Sequence, residues 1–187
     1  MTRVGTALAA AVALLSVSAC TGEEPAGGDP TTSAPSPRAT PSPTPTPAAP
    51  TIPPEATEHS ADGAAAFVKY WNQVFNYAVP SQDTKQLSEI SAPDCSACNA
   101  MIRFIDGIRE GGGSSQSPDY RTTVTSTRVV NGTFMVAARH ESSSYRFRES
   151  STSDESLVRA ATYRYIYELT WLGNRWLVEA IRKQERP

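Results

Sequence analysis

Apolar residues recur every three or four positions in the stretch SADGAAAFVKYWNQVFNYAV, which spans residues 60–79. This spacing places the apolar side chains on one face of a helix. Ser60 stands where an N-cap residue belongs, and Pro80 stands near the expected end of the helix. The pattern therefore predicts a long amphipathic first helix. Its buried face comprises Ala64, Phe67, Val68, Trp71, Val74, Phe75 and Ala78.

Two further helices are predicted before the glycine run at residues 111–113. A short helix fits residues 81–91, where Leu87 and Ile90 recur on one side. A third helix fits CSACNAMIRFIDGIREG, with Asp94 as its N-cap and the glycines as its end. The glycine-rich stretch that follows is predicted to be a connector.

After the glycines the apolar period changes to two, which is typical of β-strands. TTVTSTRVV leads into Asn131-Gly132, a hairpin signal because both residues tolerate positive φ. TFMVAARHESSSYRFRE is predicted as one return strand, bulged in its serine run. VRAATYRYIYELTW and RWLVEAIRK are predicted as two more strands joined by a turn. On the third strand, one face is predicted to carry Tyr163, Tyr165, Tyr167, Leu169 and Trp171. On the fourth strand, Trp176, Val178 and Ala180 are predicted to alternate with Leu177, Glu179 and Ile181.

Helices followed by antiparallel strands predict an α+β domain in which N-terminal helices cover one face of a four-stranded antiparallel sheet. With FVKYWNQVFNYA at the front and NRWLVEAI at the end, the sequence resembles the NTF2-like (cystatin-like α+β cone) superfamily. The resemblance implies that the first helix packs into a strongly curved sheet, often around a pocket. It also implies that two copies can pair through the sheet.

The N-terminus, MTRVGTALAAAVALLSVSAC, has a basic residue followed by an apolar run of about twelve residues, a length typical of a signal peptide. The run ends in Val17-Ser18-Ala19-Cys20, which resembles a bacterial lipobox. That resemblance implies cleavage before Cys20 and a diacylglyceryl group on its sulfur. We therefore expect residues 1–19 to be a lipoprotein signal peptide and Cys20 to anchor the chain to the outer face of the cell membrane.

Residues 20–58 hold 11 of the 15 prolines and almost no large apolar residues. Such a segment cannot bury enough surface to offset the entropy of ordering it, so it is predicted to be a disordered tether. Residues 59–187 are then the folded domain. Its positive and negative residues nearly balance, and this argues against nucleic acid as a partner.

The lipobox, the proline tether, the aromatic first helix and APDCSACNAMI together resemble an uncharacterised family of actinobacterial lipoproteins. That resemblance implies the fold and the location of the protein, and it carries no activity. The expected partners are the membrane, through Cys20, and an unidentified envelope protein or small ligand.

Cys95 and Cys98 form a Cys-x-x-Cys pair with three interpretations. In an exported chain, two neighbouring thiols are expected to form a disulfide. A thioredoxin-like redox pair usually opens a helix directly after a strand, whereas here helices precede the pair. A metal site would need two more ligands, and the only histidines are His59 and His140. The disulfide interpretation is favoured.

Three functions fit the sequence: a non-catalytic binding module, a small-molecule enzyme with a cone pocket, and a redox protein. Tyr145, Glu168 and His140 are candidate acid–base or hydrogen-bonding groups by type, but no catalytic motif includes them. His140 is predicted to be exposed, and Glu168 to form a solvated pair with Arg164. No cofactor is predicted. A binding module is favoured, with a candidate pocket formed by Trp71, Phe75, Tyr163, Tyr165 and Tyr167.

Overall fold

The computed structural model describes residues 48–184. A short 3-10 helix, Pro54–Thr57, precedes the three helices α1 (Ala61–Ser81), α2 (Lys85–Glu89) and α3 (Ser96–Glu110). Seven strands follow: β1 (Gly112–Ser115), β2 (Arg121–Val130), β3 (Thr133–Ser142), β4 (Tyr145–Ser150), β5 (Ser156–Val158), β6 (Ala161–Leu172) and β7 (Arg175–Lys183). Cys20 and the predicted signal peptide lie outside the described residues, as does most of the predicted tether.

The strands form two antiparallel sheets. The larger sheet has the order β2-β3-β6-β7, and the smaller one has the order β1-β4-β5. Helix α1 packs on one face of the larger sheet, where its apolar residues meet those of β3, β6 and β7 in a single core. The predicted α+β class, with N-terminal helices on a four-stranded antiparallel sheet, is confirmed. The smaller sheet was not predicted.

Helix α1 begins and ends largely as the sequence predicts. The Ser60 hydroxyl accepts a hydrogen bond from the backbone N–H of Gly63 at 3.0 Å, which is the expected N-cap. Pro80 lies inside the last turn and cannot donate to the carbonyl of Asn76, four residues earlier. The hydroxyl of Ser117 donates to that carbonyl instead, at 3.3 Å. The helix then ends at Gln82, whose φ of 58° is left-handed.

The next two helices depart from the prediction at their starts. The predicted helix over residues 81–91 is shorter and spans Lys85–Glu89. The left-handed backbone of Gln82 interrupts the helical conformation, and the carboxylate of Asp83 accepts a hydrogen bond from the backbone N–H of Lys85. The predicted N-cap of α3, Asp94, was wrong. Cys95 is the N-cap, and its Sγ accepts from the backbone N–H of Cys98 at 3.2 Å.

The predicted return strand after the Asn131-Gly132 hairpin is two strands, β3 and β4, in different sheets. The break falls at Ser143 and Ser144, whose polar groups bond to other segments rather than to a neighbouring strand. The glycine-rich connector forms β1 beside β4, and Gly113 lies so close to the backbone of Arg148 that a Cβ atom would collide with its carbonyl. The local pattern of apolar residues does not reveal this close approach.

Two bulges in the larger sheet change which residues face α1. In β7, Ala180 pairs with Glu168 and Val178 pairs with Leu169, so Glu179 is an extra residue. The predicted placement of Ala180 beside Trp176 and Val178 was therefore wrong, and Ile181 takes that place in the core. A second bulge, at Thr125 in β2, lies between Val124 and Ser126. Bulges bend strands, in keeping with the curved sheet that was expected.

Packing extends towards the N-terminus beyond the predicted boundary at residue 58. Ala56 is fully buried, and the side chain of Gln86 donates to the carbonyl of Pro50 at 2.8 Å. The indole N–H of Trp176 donates to the carbonyl of Glu58 at 3.0 Å. His59 stacks on Trp171 at a centroid distance of 4.8 Å. The residues before Glu58 thus pack on α1 and α2, and Glu58 and His59 cover the hairpin end of the larger sheet.

Candidate binding site at the tyrosine-rich end of the sheet

Three of the five predicted pocket residues lie in or against the core of the domain. Trp71 and Tyr167 are 1% and 2% exposed, and Phe75 is half-buried against them. The rings of Trp71 and Phe75 stack at 5.9 Å, and Tyr167 meets Trp71 edge-on at the same distance. The indole N–H of Trp71 donates to the hydroxyl of Ser91 at 3.1 Å. These aromatic side chains fill the space between α1 and the sheet.

A chain of buried polar groups crosses this core. The hydroxyl of Tyr167 lies 3.2 Å from the side-chain nitrogen of Asn72 and 3.2 Å from Nε2 of His140. Nδ1 of His140 lies 3.0 Å from the hydroxyl of Thr122 on the neighbouring strand. Both ring nitrogens therefore have partners within the domain, which is what burial of a polar ring requires.

His140 is 1% exposed, so the prediction that it is exposed was wrong. Its place on β3 explains the error: Arg139 and Glu141 point to solvent, and alternation turns His140 inward between them. Burial lowers the pKa of His140 from 6.5 to about 4, because the charged imidazolium is poorly solvated there. The ring is neutral at pH 7. Burial also raises the pKa of Tyr167.

The remaining two predicted pocket residues, Tyr163 and Tyr165, lie where β6 begins, at the end of the sheet opposite the two hairpins. They stack at 6.1 Å, and the ammonium group of Lys183 lies 6.0 Å from the ring of Tyr163. Tyr120 meets Tyr163 edge-on at 6.3 Å, although sequence reasoning did not select it. Tyr120 precedes β2, so strand alternation did not include it. Asn76 of α1 holds it in place through two hydrogen bonds to its backbone, of 2.9 and 3.0 Å.

An open cleft of about 1190 Å³ lies at this end of the sheet. It combines an aromatic ring, hydroxyl groups, two cationic groups and one carboxylate. Its walls are formed by the ends of β3, β6 and β7 and by the residues that lead into β6. The lining residues are Glu141, Ser142, Ala160, Ala161, Thr162, Tyr163, Arg164, Lys183 and Gln184.

The cleft offers groups that bind ligands but no evident acid–base pair. Glu141 is half-exposed and forms an ion pair with Arg139 at 2.7 Å. Glu168 pairs with Arg182, which corrects the predicted pair with Arg164. Among the buried polar side chains of residues 48–184 there is no carboxylate. Tyrosine rings, hydroxyl groups and cations suit recognition of a polar or anionic ligand.

Cys95 and Cys98 lie at disulfide distance, with their Cα atoms 5.3 Å apart, at the start of α3. Both residues are 0% exposed. Because thiol–disulfide exchange requires a thiolate to reach a sulfur atom, this burial disfavours a redox role. The pair fixes the turn that leads into α3.

Residues 48–184 contain no cluster of three or more His, Cys, Asp or Glu residues arranged to hold a metal ion. None of the helices in the same range combines the length and apolar character needed to cross a membrane.

Residues 38–182 match a family of unknown function, DUF6318. The chain belongs to this family. The match includes all the helices of the domain and nearly the whole larger sheet. A comparison with curated protein sequences finds no match.

The fold of this DUF6318 member is similar to several solved structures of low sequence identity. The intermembrane space region of the chloroplast protein ARC6 aligns with a TM-score of 0.52 and 18% identity, over 67% of this chain and 97% of that chain. A protein described as Rd1NTF2_05 with five substitutions aligns with a TM-score of 0.40 and 10% identity, over 67% and 100%. A calcium/calmodulin dependent protein kinase II association domain from Xanthomonas campestris aligns with a TM-score of 0.34 and 14% identity, over 77% and 98%. At 18% identity, the alignment with the ARC6 region bears on the fold alone.

Proposed function

We propose that this chain is an actinobacterial lipoprotein that displays a non-catalytic binding domain on the outer face of the cell membrane. The lipobox ending in Cys20 and the proline-rich segment after it support the location. Two or three acyl chains on one cysteine hold a protein durably at a bilayer. A coiled tether of this length spans roughly 30–40 Å, which sets how far the domain can move from the bilayer surface.

The packed interior of the domain is the observation that carries the non-catalytic part of the proposal. An enzyme that used the cone would need an accessible acid or base there. The only buried titratable group on the strands that has a strongly lowered pKa is His140, and both of its nitrogens bond to neighbouring side chains. The buried carboxylate that would favour catalysis is absent from residues 48–184.

The open cleft at the tyrosine-rich end is the proposed binding site. Lys183 and Arg164 provide positive charge, and Tyr163 provides a ring against which a sugar or an apolar group can stack. The ligand class that fits these groups is a polar envelope molecule with an anionic substituent, such as an acidic glycan or a carboxylate-bearing metabolite.

The cleft is tested by screening the non-acylated mature chain, residues 20–187 with Cys20→Ser, against acidic glycans and small carboxylates by calorimetry. We expect Lys183→Ala to weaken binding of a ligand about tenfold or more, because charge-assisted hydrogen bonds contribute about 1.5–3 kcal/mol. Lys85→Ala is the matched control, since that side chain is 81% exposed and lies on α2, far from the cleft lining.

Equal loss of affinity in the two lysine variants would contradict the assignment of the cleft. Chemical conversion of a bound ligand that depends on Tyr163 or Glu141 would contradict the non-catalytic proposal. The redox alternative has a separate readout, because it requires that Cys95 and Cys98 be reduced under conditions that leave the domain folded.

A further inference from the structure

The face of the larger sheet that points away from α1 is rich in arginine. We call it the outer face; it is formed by the residues of β2, β3, β6 and β7 that alternate with those in the core. Strand register places Arg121 beside Glu141, Arg139 beside Arg164, and Arg128 beside Met135. All six arginines of this face are exposed: Arg121, Arg128, Arg139, Arg164, Arg175 and Arg182.

Few acidic residues balance these arginines. Glu141 and Glu168 share the outer face, and they pair with Arg139 and Arg182, respectively. Within residues 48–184 no carboxylate lies within 4.0 Å of the other four guanidinium groups, those of Arg121, Arg128, Arg164 and Arg175. The same residues 48–184 contain 14 Lys and Arg against 15 Asp and Glu. The positive surplus is therefore a local separation of charge, and the rest of the domain is acidic.

The shape of the outer face favours an extended partner over a small ligand. Neighbouring strands lie about 4.8 Å apart and residues on one face recur about every 6.8 Å, so the arginines are spread over two dimensions. The half-buried side chains of Met135, Ala137 and Ile166 lie between them. The cleft does not extend across this face, since Arg164 is the only one of the six arginines that lines it.

Charge also distinguishes between the candidate partners. A second copy of the chain would bring an equally positive face against the first, and like charges in contact are destabilising. A bilayer surface that presents many negative headgroups matches a face that presents several guanidinium groups, and Arg is suited to bidentate contact with phosphate.

We propose that the outer face docks on the headgroups of an anionic phospholipid bilayer. The inference rests on the proposed lipid anchor in one respect: the tether keeps the domain near the membrane at high effective concentration, so weak contacts suffice. Docking by this face would hold the sheet against the lipid and leave most of the cleft, at the ends of the strands, open to ligands.

The experiment measures binding of the non-acylated mature chain, residues 20–187 with Cys20→Ser, to vesicles. One set of vesicles contains equal parts of phosphatidylcholine and phosphatidylglycerol, and the other contains phosphatidylcholine alone. We expect binding to the anionic vesicles only, and we expect it to weaken as salt is raised. The variant Arg121→Gln, Arg128→Gln, Arg175→Gln should reduce the partition coefficient about fivefold per arginine, or on the order of 100-fold in total.

The matched control is Arg103→Gln, Arg148→Gln, Arg159→Gln, which removes the same charge from exposed sites outside the outer face. We expect less than a threefold change in this control. An equal loss in both variants, equal binding to the two kinds of vesicle, or binding to a soluble acidic polysaccharide but not to vesicles would each overturn the proposal. None of the three substituted arginines lines the cleft, so failure here leaves the ligand prediction and the anchor prediction standing.

Discussion

Replacing Trp71 with alanine is expected to lower the free energy of unfolding by about 3–5 kcal/mol, the typical loss for truncating a buried Trp. Trp71 is 1% exposed, stacks on Phe75 and bonds to Ser91. Removal of the indole leaves a large cavity between α1 and the sheet, and it leaves the hydroxyl of Ser91 with one partner fewer. Urea unfolding followed by far-UV circular dichroism measures the change, with the m-value as a check on the reference states.

Trp171→Ala is the matched control for this prediction. Trp171 is half-buried at the hairpin end, where it stacks on the exposed ring of His59. Trp171→Ala should therefore lower the free energy of unfolding by clearly less than Trp71→Ala does. If Trp71→Ala cost less than about 1 kcal/mol, the space around Trp71 would be loosely filled, and a ligand cavity in the interior would again be the better interpretation.

Acid is expected to destabilise the domain through His140 between pH about 6.5 and 4. The folded-state pKa of about 4 lies below the ordinary value of 6.5, so the unfolded chain binds more protons in this interval. The stabilisation is fully present above pH 6.5 and is lost as the pH falls through the interval. The difference between the folded-state and unfolded-state pKa values corresponds to a loss of about 3 kcal/mol in the free energy of unfolding across this interval. Below the folded-state value the group causes no further loss.

His140→Gln isolates this contribution, because an amide does not titrate and can still bond to Thr122 or Tyr167. The variant should be less stable than the parent at pH 7, and its stability should fall less steeply on acidification. His59→Gln is the control, since that ring is exposed, and it should keep the parent's dependence on pH. Parallel curves for the parent and His140→Gln would contradict the assignment of a neutral, buried His140.

Sequence periodicity predicted the parts of the fold in which one repeat continues without interruption. The face of α1 from Ala64 to Ala78 and the Asn131-Gly132 hairpin are confirmed, because local spacing and turn chemistry alone specify them. The division of β3 from β4 at Ser143 could not be found in this way. It depends on hydrogen bonds to Pro118 and Ala160, which belong to distant parts of the sequence.

Local sequence patterns likewise predicted only some of the residues of the candidate site. Tyr163 and Tyr165 could be selected because they alternate on one strand, and the structure places them beside the cleft or in its wall. Tyr120 joins them through contacts with residues that are distant in sequence, among them two hydrogen bonds to Asn76, which is 44 residues away. His140 was misjudged because its charged neighbours suggested an exposed strand, whereas alternation turned that one residue inward. A bulge in β7 likewise changed the register of Ala180.

The proposed acylation of Cys20 would determine the compartment of the protein, the chemistry of the other two cysteines and the role of the proline-rich segment. The most direct measurement is membrane fractionation of the expressed chain with and without globomycin, an inhibitor of the lipoprotein signal peptidase, alongside the variant Cys20→Ala. If Cys20 is acylated, we expect the parent protein in the membrane fraction with a diacylglyceryl mass on its N-terminal cysteine. We also expect globomycin to cause the uncleaved form to accumulate, and Cys20→Ala never to acquire the lipid mass. These results together would support the proposed anchor. An unmodified Cys20, with membrane fractionation unchanged by the substitution, would contradict it.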